Sequence, residues 1–413
     1  MVKVSAAFGC PSGFDMTTTA CCKLGGTSTR TLTPPPPTNS LPFLTFDLVT
    51  DILCRLPVKH LLQFCCVCKS WNSLISHDSE FTKKHRRLST SNFDRHHLVL
   101  GSNFPKFELL LSDSSISSIF SSASTTNFTQ LNHYPPILNH KEGYCGEWFS
   151  TCDGMLCVRM DPSTAVLCNP SIRKFKILPP LINPELKYLQ SSFTLVYDRF
   201  TNNYKIYSLS KTSGGYNHKK QVNVHTLGTD YWRNIQDFPE HYYLVQSPGI
   251  SVSDTVNWLV YDNRSFARVI VSLDLENELC QELFHPLYGY KHGSCITLGV
   301  LRDCLCIFSH SDKFSEGWIM KEYGNVKSWI KLLCVPQMGG CGCYIYTKVL
   351  YISEDYQVLM YFFKRGRFHL AVYDSINNTL KNPEIQNNIH ELVHEVYLPE
   401  VYVESLISPR IKM

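Results

Sequence analysis

Between residues 45 and 76 the apolar positions recur at helical spacing. Val49, Ile52, Leu53 and Leu56 fall at i, i+3, i+4 and i+7, the pattern of one helix face. Asp47 stands just ahead of this run, where a side-chain oxygen can cap a first turn. Pro57 ends the element, because it has no N–H and its ring clashes with a preceding turn. Val58, Leu61, Leu62 and Cys65 repeat the spacing, and Cys68, Trp71, Leu74 and Ile75 make a third apolar face. The pattern predicts three short helices joined by tight corners within residues 41–87.

From about residue 141 the pattern changes to short runs suited to strands. MLCVRM, FTLVYD, YKIYSL, QVNVHTL, TVNWLVY, RVIVSLDL, CLCIFS, KVLYIS, QVLMYFF and HLAVYD are separated by turn residues, and long helical patterns are absent. HHLVLGS and FELLLSD predict two earlier strands, and the Ser/Thr-rich stretch 112–130 reads as a loop. A loose repeat runs through the region: a polar turn, a short strand, then a proline. It appears as NPSIRKFKILPP, LGTDYWRNIQDFP, LENELCQELFHP and YGNVKSWIKLLCVP. The closing residues Pro179, Pro239, Pro286 and Pro336 are 60, 47 and 50 residues apart. A strand-rich period of roughly 40–50 residues is the mark of propeller blades, which bury sheet edges by radial repetition.

Residues 1–40 are rich in Thr, Ser and Pro and hold one acidic residue, Asp15. A disordered tail is the expectation, since so few apolar groups cannot offset the entropy of ordering. A basic, acid-poor, Ser/Thr-rich segment also suits an organelle transit peptide, although the amphipathic Arg-rich pattern is missing.

The composition fits β structure: 12% aromatic residues and only 18% charged ones. A net charge of +4 with no basic stripe excludes a nucleic-acid binder built on phosphate neutralisation. No 18-residue apolar run exists, so no membrane span is expected. The 18 Cys, without a secretory signal ahead of them, read as small buried hydrophobes in a reducing compartment, the cytoplasm or nucleus.

Chemistry is sparse. Cys304 and Cys306, like Cys341 and Cys343, are separated by one residue rather than the two to four of zinc knuckles. Cys304 and Cys306 share one strand face and read as core. Phosphate-binding loops and a Gly-x-Ser-x-Gly elbow are absent, and Glu354 and Asp355 point apart. The basic run Lys83 to Arg87 reads as a solvated helix end. No metal, cofactor or catalytic residue is assigned.

The helical unit carries more large apolar residues than three short helices can turn inward, and an exposed apolar patch marks an interface. Its sequence resembles the F-box. The residues that carry the resemblance are Leu41-Pro42, Asp47-Leu48, Ile52-Leu53, Leu56-Pro57-Val58-Lys59 and Val67-Cys68-Lys69-Ser70-Trp71. Thr45 and His60 depart from the usual Pro and Ser. The resemblance implies docking on a Skp-type adaptor and, through it, a cullin and a RING subunit. Leu41, Pro42, Leu48, Ile52, Leu53, Leu56, Pro57, Leu61, Leu62, Val67, Cys68 and Trp71 would then form the interface or its supporting core, with Trp71 as an anchor.

Residues 95–409 resemble the F-box-associated interaction domain of a large plant family. The matching pieces include CDGMLCV, NPSIRKFKILPP, VYDRFTNNYKIYSL, VHTLGTDYWRNI and VSLDLENELCQEL, in the family's order. A paired-glycine kelch signature is not evident. The implied fold is α+β and multidomain: a small three-helix F-box followed by a large all-β, propeller-like domain of unstated blade number. Trp148, Trp232, Trp258, Trp318 and Trp329 are expected in blade cores. The implied role is the substrate receptor of a ubiquitin ligase, non-catalytic and without a cofactor. The alternative is a binding module outside any ligase that sequesters a partner. The target surface is expected in loops 211–220 and 286–294 and in the stretch 336–344, with Tyr216, Tyr288, Tyr290, His292 and Tyr344 as contacts.

Overall fold

The computed structural model describes residues 45–102, 110–121, 125–131, 149–181, 189–212, 219–288, 295–310, 314–336, 344–364, 367–386 and 399–410. The helical unit holds four helices, not three: α1 (Phe46–Leu53), α2 (Val58–Phe64), α3 (Lys69–His77) and α4 (Ser79–Thr90). Asp47 lies inside the first turn of α1 rather than capping it, where its charge suits the positive helix end. The extra helix is started by Asp78, whose side chain accepts from Phe81 N at 2.8 Å. The basic run therefore lies within a helix and is not a solvated end. Phe81, His85 and Ser89 recur every fourth residue and are buried, while Lys83 and Arg87 face outward.

Six four-stranded antiparallel sheets follow, one of them extended to five by a divided inner strand. Blade 1 comprises Phe149–Cys152, Met155–Arg159, Ala165–Asn169 and Lys174–Ile177. Blade 2 runs from Leu189–Asp198 to Arg233–Phe238, and blade 3 from Tyr242–Leu244 to Cys280–Leu283. Blade 4 runs from Cys295–Leu301 to Trp329–Pro336, and blade 5 from Tyr344–Ile352 to Thr379–Lys381. Blade 6 is closed by both ends of the domain. Its inner strand Glu400–Val403 pairs antiparallel with His96–Ser102, followed by Leu110–Ser115 and Thr129–Gln130. Over its described residues, every strand run picked out by pattern overlaps a strand of one of these blades; the first three residues of FELLLSD lie outside the described residues.

The Ser/Thr-rich stretch 112–130 is not a loop. It contributes two strands to blade 6, a short helix α5 (Ile116–Ser121), and Thr125–Asn127, which pairs in parallel with Glu384–Gln386. Ile116, Ile119 and Phe128 are buried against blades 5 and 6, and Phe120 is half-buried beside them. The serines between them concealed that spacing.

The blades stack because each buries both faces. In blade 1, Leu156 and Val158 pack toward blade 6, while Met155 and Cys157 pack toward blade 2. The two-residue period of a strand delivers alternate side chains to the two neighbours. One such apolar cluster fills each of the six blade junctions. Turns recur as well. Three Val-Tyr-Asp tripeptides end in Asp198, Asp262 and Asp374, whose carboxylates accept the N–H two residues on at 2.8, 2.9 and 3.0 Å.

The prolines close the outer strands. Pro179, Pro239 and Pro286 follow them by one to three residues, and Pro336 ends one. Trp258 and Trp329 are buried in junction cores, while Trp232 and Trp318 are half-buried against them. Trp148 lies outside the described residues. Cys306 is buried between blades 4 and 5 with Cys304 beside it, so the pair sits in the core.

Candidate docking and recognition faces

The helical unit has its own core. Leu53, Cys54, Val58, Leu61, Leu74, Ile75 and Phe81 are buried, with Val49, Leu56, Phe64 and Trp71 packed around them. Trp71 meets Phe64 edge-on, ring centroids 5.5 Å apart. The apolar residues left over face outward: Phe46 52%, Leu48 52%, Ile52 51%, Leu62 40% and Val67 58% exposed. Helical geometry explains the division. Val49, Leu53 and Leu56 turn inward, and Ile52, one residue before Leu53, is rotated off that line by about 100°. Ile52 therefore leaves the four-residue face expected from spacing.

The implied interface residues sort accordingly. Leu48, Ile52, Leu62 and Val67 are exposed; Leu53 and Leu61 are interior supports; Leu56, Pro57, Cys68 and Trp71 are half-buried. Leu41 and Pro42 lie outside the described residues. Phe46, outside the set that the resemblance implies, is as exposed as Leu48.

The helices are fixed to the propeller by buried polar bonds. Glu404, just past the last inner strand, accepts from Val58 N at the start of α2 at 3.1 Å. Pro57 has no N–H, so Val58 offers the first donor of that helix. His97 lies between two carboxylates, 3.1 Å from Asp113 and 3.5 Å from Glu404. Burial alone would lower the His97 pKa, but bonds and charge from Asp113 and Glu404 raise it to about 9. Burial pushes Glu404 upward, yet His97, Val58 N–H and Arg95 hold it below its ordinary value.

Arg95 extends the joint. It donates to Ser89 Oγ at 2.7 Å and to the carbonyl of Arg55. His85 bonds the Leu56 carbonyl at 3.0 Å, and burial pushes its pKa down to about 4. On α4, Arg86 pairs with Asp153 at 2.5 Å, and Tyr204 donates to the same carboxylate at 2.8 Å. Asp153-Gly154 forms a tight turn at positive φ, and a Cβ on Gly154 would stand 2.3 Å from the Val403 carbonyl. Leu406 packs into the helical core.

Strand direction separates the two ends of the propeller. In an antiparallel four-stranded blade, the first-to-second and third-to-fourth turns lie at one end. The second-to-third and blade-to-blade connections lie at the other. Arg86 of α4 grips the first turn of blade 1 at Asp153 and stacks over Tyr197 beside that of blade 2, at 5.7 Å. The segments 211–220, 286–294 and 336–344 are a second-to-third connection and two blade-to-blade connections. Their flanking strand ends lie at the end away from α4.

Tyr288 is exposed there and packs edge-on against exposed Phe284 at 5.1 Å. Tyr344 begins the inner strand of blade 5 rather than sitting in a loop. Tyr216, Tyr290 and His292 lie outside the described residues. Among the described residues no three metal-ligating side chains come together, and Cys341 and Cys343 lie outside them.

Comparison with known proteins agrees with this two-part arrangement. Residues 41–83 match the F-box domain, and residues 108–409 match the F-box associated beta propeller domain. An F-box/kelch-repeat protein of Arabidopsis thaliana is 28% identical over 89% of this chain and 96% of its own length. The F-box protein CPR1 of Arabidopsis thaliana is 24% identical, over 75% of this chain and 77% of that one. An F-box/WD-40 repeat-containing protein of Arabidopsis thaliana is 23% identical, over 71% and 69%.

Proposed function

Because the chain belongs to the family of plant F-box proteins that carry an F-box-associated β-propeller, we propose that it is the substrate receptor of a Skp–cullin–F-box ubiquitin ligase. Its helices dock on a Skp-type adaptor, which connects it to a cullin and a RING subunit. The propeller end away from α4 holds the protein to be ubiquitinated. The receptor itself performs no covalent chemistry. It raises the effective concentration of a target lysine near the ubiquitin-charged enzyme.

The observation that carries this reading is the unfilled face of the helical unit. A complete core is present, and Phe46, Leu48, Ile52, Leu62 and Val67 remain outside it. Such a cluster of exposed apolar residues is costly unless another polypeptide covers it. The joint at Glu404, Arg95 and Arg86 supports the reading too, since a proximity device works only if its two ends hold a set orientation. Eleven described cysteines are free thiols, which suits action in the cytoplasm or nucleus.

The test is affinity capture of the full chain, with immunodetection of adaptor and cullin. Recovery of both supports a ligase receptor. Recovery of a propeller-bound protein with neither adaptor nor cullin would favour a sequestering module instead.

A further inference from the structure

We propose that a cavity between blades 2 and 3, at the propeller end away from α4, binds an oxyanion-bearing side chain of an extended peptide. This rests on the reading of the propeller as the capture module, and it specifies the chemistry of what is captured.

The cavity measures about 250 Å³. That volume suits one side chain and its backbone rather than a drug-sized ligand, which needs roughly 300–1,000 Å³. Three features of its wall point to an anion. Lys211 and Lys220 are directly opposite each other across the central ladder of blade 2. Like charges in that position repel. Among the described residues neither has a carboxylate partner, and the intervening sequence SGGYNH contains no Asp or Glu. Lys220 is more than nine-tenths buried; its ammonium donates to the carbonyls of Glu240 and Tyr242, which are neutral acceptors.

The hydroxyls supply the second, independent feature. Ser192 and Ser247 line the same cavity, each more than nine-tenths buried, and neither Oγ atom has a hydrogen-bond partner among the described residues. Buried polar groups are ordinarily satisfied, so two orphan hydroxyls beside two lysines with no ion pair among the described residues describe a cradle for acceptor oxygens. The third feature is the rim. Tyr243, Leu244 and Val245 are exposed and adjoin the opening, and Tyr242–Leu244 is an edge strand of its sheet. An extended segment can lay an apolar residue there while its anionic neighbour enters the cavity.

A carboxylate and a phosphoryl group share this chemistry, and peptides can distinguish them. Gly-Leu-Asp-Leu-Gly, its phosphoserine analogue and its Asn analogue are titrated against the full chain by saturation-transfer NMR. Both anionic peptides should bind about tenfold or more tightly than the Asn peptide, as charge-assisted bonds require. Tighter binding of phosphoserine than of Asp assigns the site to phosphoryl groups, and the reverse assigns it to carboxylates.

Lys211→Gln should abolish the preference without changing Asn-peptide binding, and Ser247→Ala should reduce it several-fold. Lys220 is left unaltered in this test because it also holds two backbone carbonyls. An Asn peptide that binds as well as the anionic ones overturns the proposal, as does a preference that survives Lys211→Gln. Adaptor capture on the same preparation separates the two claims. Its loss with the anion preference intact would remove the receptor reading and leave the site standing.

Discussion

The backbone N–H of Val58 donates to the carboxylate of Glu404 at 3.1 Å, across 346 residues of chain. One oxygen thus ties the second helix of the F-box to the strand that closes the propeller. The same carboxylate faces His97 at 3.5 Å, so its removal strands a helix-end donor and leaves His97 with Asp113 alone. A hydrogen bond to a charged group contributes about 1.5–3 kcal/mol. Glu404→Ala is expected to lower unfolding free energy by about that amount and to speed amide exchange in α2. Denaturant titration with hydrogen-exchange mass spectrometry checks both. Unchanged exchange at α2 would show that the bond does not hold the helices.

Two imidazoles at this joint respond to pH in opposite directions. His85 has a pKa near 4 in the folded chain, against about 6.5 unfolded. Between those values the unfolded chain binds the extra proton, so the His85 contribution is complete above pH 6.5 and fades as pH falls toward 4. For His97 the folded value is about 9. There the folded chain binds the extra proton between 6.5 and 9, so the contribution is complete below 6.5 and lost as pH rises through 9. The difference in unfolding free energy between wild type and His97→Gln should therefore shrink from pH 6.5 to pH 9.5. A difference that stays constant over that range would contradict the assignment.

The exposed and buried leucines of the helical unit should separate in experiment. Leu48→Asp with Ile52→Asp is expected to abolish adaptor capture while changing unfolding free energy by no more than about 0.5 kcal/mol, as exposed positions generally do. Leu53→Ala or Leu61→Ala should cost about 2–5 kcal/mol and weaken capture only through unfolding. Pull-downs and thermal denaturation of the same samples decide it. Capture that persists in the double Asp variant would put the docking face elsewhere.

Trp71 belongs between these classes. It is half-buried and its ring packs edge-on against Phe64. Trp71→Ala is expected to cost about 2–3 kcal/mol, less than the roughly 3–5 of a fully buried aromatic, and to reduce capture at temperatures where the fold is intact. A stability loss with no effect on capture would make Trp71 a support only.

Neighbouring blades are also joined by indole donors. Trp232 donates to the Pro179 carbonyl at 2.8 Å and Trp329 to that of Phe284 at 3.2 Å, in each case reaching the end of the preceding blade's outer strand. Each indole stands seven residues before the proline that closes its own outer strand, Pro239 or Pro336. Trp232→Phe and Trp329→Phe should each cost about 1 kcal/mol, the typical worth of one hydrogen bond. The two costs should add in the double variant, because the sites share no partners. Calorimetric unfolding of the three variants measures this, and strong non-additivity would mean the blades are coupled by something other than these bonds.

Much of the fold was legible because blade strands repeat a local rule. Each Val-Tyr-Asp and each closing proline is a short-range signal, and over the described residues every strand run overlaps a strand. The errors have a common cause. Ile52 matched a helical face by spacing but was displaced by Val49 and Leu53, because a small core has room for one line of side chains. The stretch 112–130 looked like a loop because its few apolar residues were spread among serines. α4 was obscured because a buried histidine sat in a run of lysines and arginines. The proposed recognition face was the least legible part, since its signals are cross-strand neighbours such as Lys211 and Lys220 rather than residues close along the chain.

The sequence by itself determined the family, the order of the parts and the placement of strands, because those depend on periodicity and turn chemistry within a dozen residues. Tertiary structure alone decided which leucines stay outside, how Glu404 and Arg95 hold the helices to the propeller, and where two lysines meet the hydroxyls of Ser192 and Ser247. Those outcomes depend on which distant segments exclude water from one another, a competition for limited interior volume that no local pattern encodes.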